Sequence, residues 1–276
     1  MKLIATFLLF TLLASCASSK ETKYTGSTPA APLVRTFLGI LLTDSVDFIR
    51  WNLTLTDNRY TLNCNYGIGK PNTNGFYDGG KKIEISGAFK KEKNNYLLQN
   101  GNQILKLAEL NNNLLHILND NNSLMIGNGG FSYLLNNMAP TLTDRVSIAS
   151  KKIALKDSMA FQGRTLCEDF SINRPGHGCI KMKWSIVFYA NVDKNEPTTY
   201  LLNRSNMLPL EYPGKKGTWK IIAGKDGRII YVLTPDMETT PTYLLKLDEG
   251  VLIFTNANGN LLVGNHDFSY TLNRRF

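Results

Sequence analysis

Two cysteines and a histidine that could do chemistry lie close together in the second half of the chain. Cys167 and Cys179 flank a loop rich in proline and glycine, and His177 lies within that loop. Thiolate sulfur and imidazole nitrogen suit copper(I) or zinc. Two cysteines at this spacing also form a disulfide in an oxidising compartment. We expect the disulfide between Cys167 and Cys179, and a copper or zinc site at Cys167, His177 and Cys179 is the alternative.

The residue types and motifs of catalysis are scarce. The chain has 3 histidines, no Gly-x-Ser-x-Gly elbow, and a Gly214–Thr218 segment that lacks the spacing of a phosphate-binding loop. His116 lies in an apolar stretch and is predicted to be a packed core residue. His266 lies beside a turn and is predicted to be solvated. The sequence therefore predicts a protein that is not an enzyme.

The N-terminus has the pattern of a secretory signal peptide. Lys2 precedes an apolar run, Leu3 to Leu13, that is too short to span a membrane as a helix. The next residues complete Leu13-Ala14-Ser15-Cys16, which resembles the lipobox of bacterial lipoprotein precursors. We therefore expect residues 1–15 to be removed and Cys16 to carry acyl chains such as palmitate. Several acyl chains would anchor the protein to a membrane permanently.

The segment after the lipidated cysteine is predicted to be a tether. Residues 16–33 are rich in Ser, Thr, Lys and Pro and lack hydrophobic periodicity until Leu33. Ala17-Ser18 resembles a signal for sorting to the outer membrane. We expect a lipid-anchored outer-membrane protein, and the pattern leaves open whether it faces the periplasm or the cell surface.

The charge pattern argues against nucleic acid as a partner. Lys and Arg total 31 against 22 Asp and Glu, a formal charge of +9. The excess is scattered in pairs such as Lys81-Lys82 and Lys215-Lys216, and it forms no stripe that would follow a phosphate backbone. Membrane contact through the lipid and an envelope protein partner are the expected interactions.

An internal repeat divides the chain into two related halves. Leu124–Asn136 matches Leu261–Asn273, with Gly, Asn, Phe, Ser, Tyr, Leu and Asn recurring in the same order. A match of this length indicates a duplicated domain. The segments aligned as the first strand of each copy are Phe37-Leu38-Gly39 and Phe161-Gln162-Gly163.

Both halves show the alternation of half-buried β-strands. Trp51 begins a run in which every second residue is apolar, and Trp184 begins the corresponding run in the second half. Turn dipeptides such as Asn100-Gly101 and Asn258-Gly259 separate such runs. About eight short strands in each half, joined by tight turns, predict an up-and-down barrel, because closure removes exposed sheet edges. A two-sheet sandwich is the competing architecture.

The predicted organisation is therefore all-β, with two tandem small lipocalin-like antiparallel barrels after the signal peptide and tether. The first barrel is assigned to residues 34–139 and the second to residues 140–276. The segment Met138–Ala160 is left open as a linker, an edge strand or a short helix.

Several segments resemble NlpE-like envelope lipoproteins of Gram-negative bacteria, in a two-copy version often labelled copper homeostasis or resistance protein. The resemblance covers most of residues 34–275 and implies a lipocalin-like barrel, outer-membrane attachment and a role in sensing envelope or surface stress. The family's Cys-x-x-Cys pair is absent, since the matching stretches are Leu42–Ser45 and Cys167–Phe170. The segments that carry the resemblance are Phe161–Cys167, Cys179–Trp184, Pro197–Tyr200 and Leu262–Arg274.

Three functional hypotheses follow. The first is a non-enzymatic outer-membrane lipoprotein that acts as a binding or stress-sensing module. The second is copper or zinc binding through Cys167, His177 and Cys179. The third is binding of a small apolar ligand inside a barrel, and an open, aromatic-lined cavity would support it.

Overall fold

The computed structural model describes residues 21–143, 146–147, 155–167, 181–205, 214–224, 227–237 and 240–276. Its described residues form two closed antiparallel barrels in tandem, each of eight strands. Neighbouring strands in sequence pair with each other, and the last strand of each barrel closes on the first. The predicted all-β class with two tandem antiparallel barrels is confirmed, and the competing sandwich is wrong.

Barrel 1 contains strands β1 to β8, one short helix and one 3-10 turn. Strand β1 closes the barrel by pairing with both β2 and β8. Helix α1 lies between β1 and β2, and the 3-10 turn Tyr77–Gly79 lies between β3 and β4. The elements are β1 Glu21–Pro29, α1 Pro32–Leu38, β2 Phe48–Thr56, β3 Arg59–Gly67, β4 Lys81–Glu92, β5 Asn95–Asn100, β6 Gln103–Asn111, β7 Leu114–Ile117 and β8 Leu134–Asn137.

Barrel 2 repeats this order with strands β9 to β16. Strand β9 pairs with β10 and, at the closure, with β16. The elements are β9 Ser158–Thr165, β10 Met182–Asn191, β11 Glu196–Ser205, β12 Lys215–Ala223, β13 Ile229–Pro235, β14 Thr242–Lys246, β15 Val251–Thr255 and β16 Thr271–Arg275.

Side-chain alternation explains why these segments curl into barrels. In β2 the residues Trp51, Leu53 and Leu55 are buried, while the residues between them are more exposed. Strand β3 alternates in the same way, from Tyr60 to Tyr66. One apolar face per strand has to be covered, and a curled sheet covers it by turning that face inward.

Helix α1 closes one end of barrel 1. Its residues Val34, Phe37 and Leu38 are buried and pack into the same cluster as the inward-facing strand residues. The side-chain amide of Asn100, the last residue of β5, donates a hydrogen bond to the Phe37 carbonyl at 2.8 Å. The part of the barrel 1 interior next to α1 is therefore occupied by side chains.

The start of the first barrel differs from the sequence expectation. Phe37-Leu38-Gly39 is the end of α1, where Gly39 has a left-handed backbone with φ 71°, so its assignment to a first strand is wrong. The true counterpart of Phe161-Gln162-Gly163 is Tyr24-Thr25-Gly26 in β1. Gly26 pairs with Trp51, and Gly163 pairs with Trp184.

A shared hydrogen bond supports this correspondence. The indole nitrogen of Trp51 donates to the Thr28 hydroxyl at 2.8 Å, and that of Trp184 donates to the Thr165 hydroxyl at 2.9 Å. A Cβ on Gly26 would lie 2.6 Å from the Leu134 carbonyl oxygen. The aromatic-x-Gly-x-Thr spacing is thus the common signature of the two first strands.

Barrel 1 therefore begins earlier in the sequence than predicted. The predicted tether over residues 16–33 is wrong from residue 21 onward, because β1 begins at Glu21 and belongs to barrel 1. Within Met138–Ala160, the open segment, β9 begins at Ser158 and Ser147 donates its backbone N–H to the Leu110 carbonyl at 2.7 Å. The signal peptide and Cys16 lie outside the described residues.

Candidate functional site: the cleft between the barrels

The two barrels share an apolar interface. Outward-facing side chains of β6 to β8 pack against outward-facing side chains of β13 to β15. Burial on both sheet faces explains why β7 and β15 are buried at every position. The buried members of this interface are Ala108, Leu110, Leu114, Leu118, Leu124, Leu134, Ile230, Val232, Leu245, Leu247, Val251, Ile253 and Leu261.

Hydrogen bonds at the interface are exchanged between equivalent positions of the repeat. The side-chain oxygen of Asn136 accepts the N–H of Gly264 at 2.8 Å. The side-chain oxygen of Asn273 accepts the N–H of Gly127 at 2.7 Å. Asn136 matches Asn273 and Gly127 matches Gly264 in the repeat, so the two barrels are related by an approximate twofold axis.

The Ser132 and Ser269 hydroxyls, 2.7 Å apart, lie where this axis passes between the barrels, because each serine is the repeat counterpart of the other. Both are buried. The repeated Gly-Asn-x-x-Phe-Ser segments therefore serve to dock one barrel on the other.

A cleft of about 540 Å³ opens beside these segments, at the end of barrel 1 where β1 ends and β2 begins. Its ionisable lining consists of four basic and two acidic side chains. The lining residues used below are Asp47, Phe48, Lys70, Asn74, Gly130, Phe131, Arg164, Lys181, Lys183, Asp267 and Phe268.

The carboxylates of the cleft already have partners. Asp267 accepts a hydrogen bond from the Arg50 guanidinium at 2.5 Å, within an ion pair that joins the barrels, and a second from the Asn74 amide at 3.0 Å. Asp47 accepts the backbone N–H of Gly69 at 2.7 Å. Neither carboxylate is positioned as a lone general base.

Three basic side chains of barrel 2 line the cleft. Arg164 and Lys183 are paired residues on β9 and β10. Burial lowers the pKa of Arg164 from its ordinary value. The pKa of Lys181 is lowered first by burial and then by the positive charges of Arg164 and Lys183, against the opposing pull of Asp267. Basic side chains therefore outnumber acidic ones in the lining of the cleft.

An aromatic stack forms the floor next to the arginines. The ring of Phe48 stacks on Phe76 at 4.1 Å and on Phe131 at 4.6 Å between centroids. The Arg164 guanidinium carbon lies 5.7 Å from the Phe131 centroid, and that of Arg50 lies 5.9 Å from the Phe48 centroid. Cation–π contacts of this kind hold a guanidinium in place while leaving its N–H groups free to bind.

The metal-binding and disulfide candidates fall largely outside the described residues. His177 and Cys179 lie outside the described residues. The Cys167–Cys179 disulfide and the alternative metal site therefore stay predictions. Cys167 is half-buried just after β9. Over the described ranges, no three His, Cys, Asp or Glu residues are arranged to hold a metal ion.

Burial keeps His116, Cys64 and the tryptophans out of the lining of the cleft. His116 is fully buried and His266 is exposed, as predicted. Cys64 is buried, and burial raises the pKa of its thiol well above its usual range, which keeps the sulfur inert. Trp51, Trp184 and Trp219 are core residues.

The cleft itself was not anticipated from the sequence. Its residues come from both copies of the repeat, and they meet only because the copies face each other. One signal was available, since the repeat aligns acidic Asp267 with Gly130. The consequence of this difference between the two copies depends on the geometry of the interface.

No protein-family model, curated protein or solved structure matches the chain. No helix among the described residues has the length and apolar character needed to cross a bilayer.

Proposed function

We propose that the chain is a lipid-anchored, non-enzymatic binding or sensing module of the bacterial cell envelope, and that the cleft between its barrels is the recognition surface. The observation that carries the proposal is the contrast between a filled barrel and an open cleft. The interior of barrel 1 is a continuous cluster of buried side chains, whereas the charged cleft is open to solvent. The sequence resemblance to NlpE-like lipoproteins supports the envelope location and the sensing role.

The position of the cleft suits a membrane-anchored protein. Cys16 precedes Glu21, the first residue of β1, by five positions. Nine residues of extended strand span about 26 Å, and the far residue, Pro29, pairs with Phe48 in the cleft wall. A lipid on Cys16 would therefore hold barrel 1 by one end and present the cleft at the other.

The filled interior makes the apolar-ligand hypothesis less suitable for barrel 1. A lipocalin-like carrier needs an empty cavity inside the barrel. Here Trp51, Tyr60 and Phe37 are among the largest fully buried side chains, and α1 covers one end of the barrel. A ligand in this part of the barrel would have to displace packed side chains.

The anchoring is tested by mass spectrometry of the mature protein. We expect a new N-terminus at Cys16 that carries acyl chains and fractionates with the outer membrane. A Cys16→Ala form should remain unlipidated. An unmodified N-terminus at any other residue would refute the anchoring.

The binding role is tested by cross-linking in intact cells, followed by identification of captured envelope components. Three anchored forms are compared: wild type, a variant with Arg164→Gln and Lys183→Gln, and a control with Lys82→Gln and Lys220→Gln outside the cleft. We expect a specific partner to be captured by the wild type and the control and to be lost from the cleft variant. Equal capture by all three would show that recognition takes place elsewhere.

A further inference from the structure

The approximate twofold symmetry of the interface is broken at one pair of positions. In barrel 2, Asp267 pairs with Arg50 of barrel 1. The repeat counterpart of Arg50 is Lys183, since each precedes the tryptophan that pairs with the first-strand glycine. The counterpart of Asp267 is Gly130. The carboxylate that neutralises one side of the axis is therefore missing from the other side.

The missing carboxylate leaves basic side chains without ion-pair partners. Lys70, Arg164 and Lys183 all line the cleft, and across the described parts of the chain none of the three makes a salt bridge. Gly130 lies against the arginine, because a Cβ there would lie 3.2 Å from the guanidinium carbon of Arg164. The absence of a side chain at Gly130 thus both exposes the arginine and removes its natural counter-charge.

We propose that this cleft binds an anionic ligand through a phosphate group held by Arg164 and Lys183, with Lys70 of barrel 1 also in the lining and the Phe131 ring beside the arginine. The inference rests on the proposed function, because it assigns a ligand class to the same recognition surface. The ligand supplies the negative charge that Asp267 supplies at the equivalent position.

Charge and shape favour phosphate over a single carboxylate. Three unpaired cations are balanced better by a multiply charged group than by one negative charge. The planar guanidinium of Arg164 can donate two parallel hydrogen bonds to phosphate oxygens, and the ammonium groups of Lys70 and Lys183 act as point charges beside it. A cleft of about 540 Å³ leaves room for the group that carries the phosphate.

The sharpest test restores the missing carboxylate. Gly130→Asp reproduces the residue that the other copy has at this position, and it should occupy Arg164 and Lys183 from within the protein. Gly130→Asn has nearly the same size without the charge and is the matched control. Each full-length protein is titrated with inorganic pyrophosphate by calorimetry at low ionic strength, and its fold is checked by circular dichroism.

We expect the wild type to bind pyrophosphate and Gly130→Asp to bind it at least roughly tenfold more weakly, because charge-assisted hydrogen bonds are lost. Gly130→Asn should stay within about threefold of the wild type, since its uncharged side chain does not compete with phosphate for the positive charge of Arg164. Arg164→Gln should behave like Gly130→Asp. Equal losses in Gly130→Asp and Gly130→Asn, or no binding by the wild type at millimolar pyrophosphate, would overturn the proposal.

A second arm distinguishes a lipid headgroup from a soluble phosphate. The Cys16→Ala protein, which cannot insert through its own lipid, is mixed with vesicles of phosphatidylcholine containing phosphatidic acid or containing none. Binding to phosphatidic acid vesicles that Gly130→Asp abolishes assigns the phosphate to a lipid headgroup. Pyrophosphate binding without vesicle binding assigns it to a soluble ligand, and both results support the phosphate site.

The two proposals fail separately. Loss of phosphate binding with retained capture of an envelope partner would refute the phosphate site and leave the anchored binding module intact. Phosphate binding by a protein that lacks acyl chains on Cys16 in cells would refute the anchoring alone.

Discussion

Acidification should destabilise the protein through His116. The strand alternation of β7 turns Leu115 and Ile117 into barrel 1 and turns Leu114 and His116 toward the inter-barrel interface. His116 is fully buried, its Nδ1 lies 2.9 Å from the Ile117 carbonyl oxygen, and its Nε2 has no hydrogen-bond partner. Burial lowers the pKa of His116 to about 4 from an ordinary value of 6.5, against a weaker opposing effect of the Ile117 carbonyl.

The sign and size of the effect follow from proton linkage. Between pH 6.5 and pH 4 the unfolded chain binds a proton at His116 that the folded protein excludes, so stability is lost as the pH falls through this window. A pKa difference of this size corresponds to a loss of about 3 kcal/mol between pH 7.5 and pH 4. Well below pH 4 the folded protein is protonated as well, and His116 adds no further loss.

Urea denaturation at a series of pH values measures this loss, with His116→Ile as the control. Isoleucine is the residue of the second copy at this position, Ile253, which packs in the same interface. We expect the difference in unfolding free energy between the two proteins to change by about 3 kcal/mol over the window, which removes the contribution of the carboxylates. Parallel pH profiles would show that His116 is not held neutral by the interface.

Two substitutions and one peptide-mapping experiment test the interface, the strand register and the predicted disulfide. Asn136→Ala should lower the unfolding free energy by about 1–3 kcal/mol in urea denaturation, because the partly buried N–H of Gly264 loses its acceptor; an unchanged value would argue against the twofold docking. Gly26→Ala should cost about 1–3 kcal/mol in the same assay, because its Cβ would press on backbone; full tolerance would contradict the register of β1 against β8. Peptide mapping without reductant should recover Cys167 linked to Cys179, whereas two free thiols would refute the disulfide and revive the metal alternative.

The sequence predicted the barrels because their signals are local. Period-two alternation, as in β2 and β3, and turn dipeptides such as Asn100-Gly101 are visible within a few residues. The Leu124–Asn136 repeat then fixed the number of domains. Closure of each sheet was favoured over a two-sheet sandwich because it removes exposed sheet edges.

Strand β1 was missed because its burial depends on residues far away in the sequence. Thr25, Ser27 and Thr28 are polar and small, a composition typical of a tether, yet all three are buried. Their hydroxyls are satisfied by distant groups, such as the Trp51 carbonyl for Thr25 at 2.9 Å and the His266 carbonyl for Ser27 at 2.7 Å. A single-sequence pattern contains no signal for partners of this kind.

The cleft was missed for a related reason. The replacement of Asp267 by Gly130 is visible in the repeat, but its consequence for Arg164 depends on one barrel facing the other. The cysteines and histidines, in contrast, are recognisable as candidate site residues from their chemistry alone. A charge imbalance across an interface depends on which side chains meet in the folded protein, and the sequence alone does not show that.

The most direct test of the central claim is to locate the bound phosphate by nuclear magnetic resonance. Pyrophosphate is titrated into ¹⁵N-labelled full-length protein while the backbone amide shifts are followed. The largest changes should fall on Gly130, Phe131, Arg164 and Lys183, and they should vanish in Gly130→Asp. Barrel 1 also has a pocket of about 610 Å³ lined in part by Lys91 and Glu109. Changes confined to that pocket would contradict the assignment of the inter-barrel cleft as the recognition site.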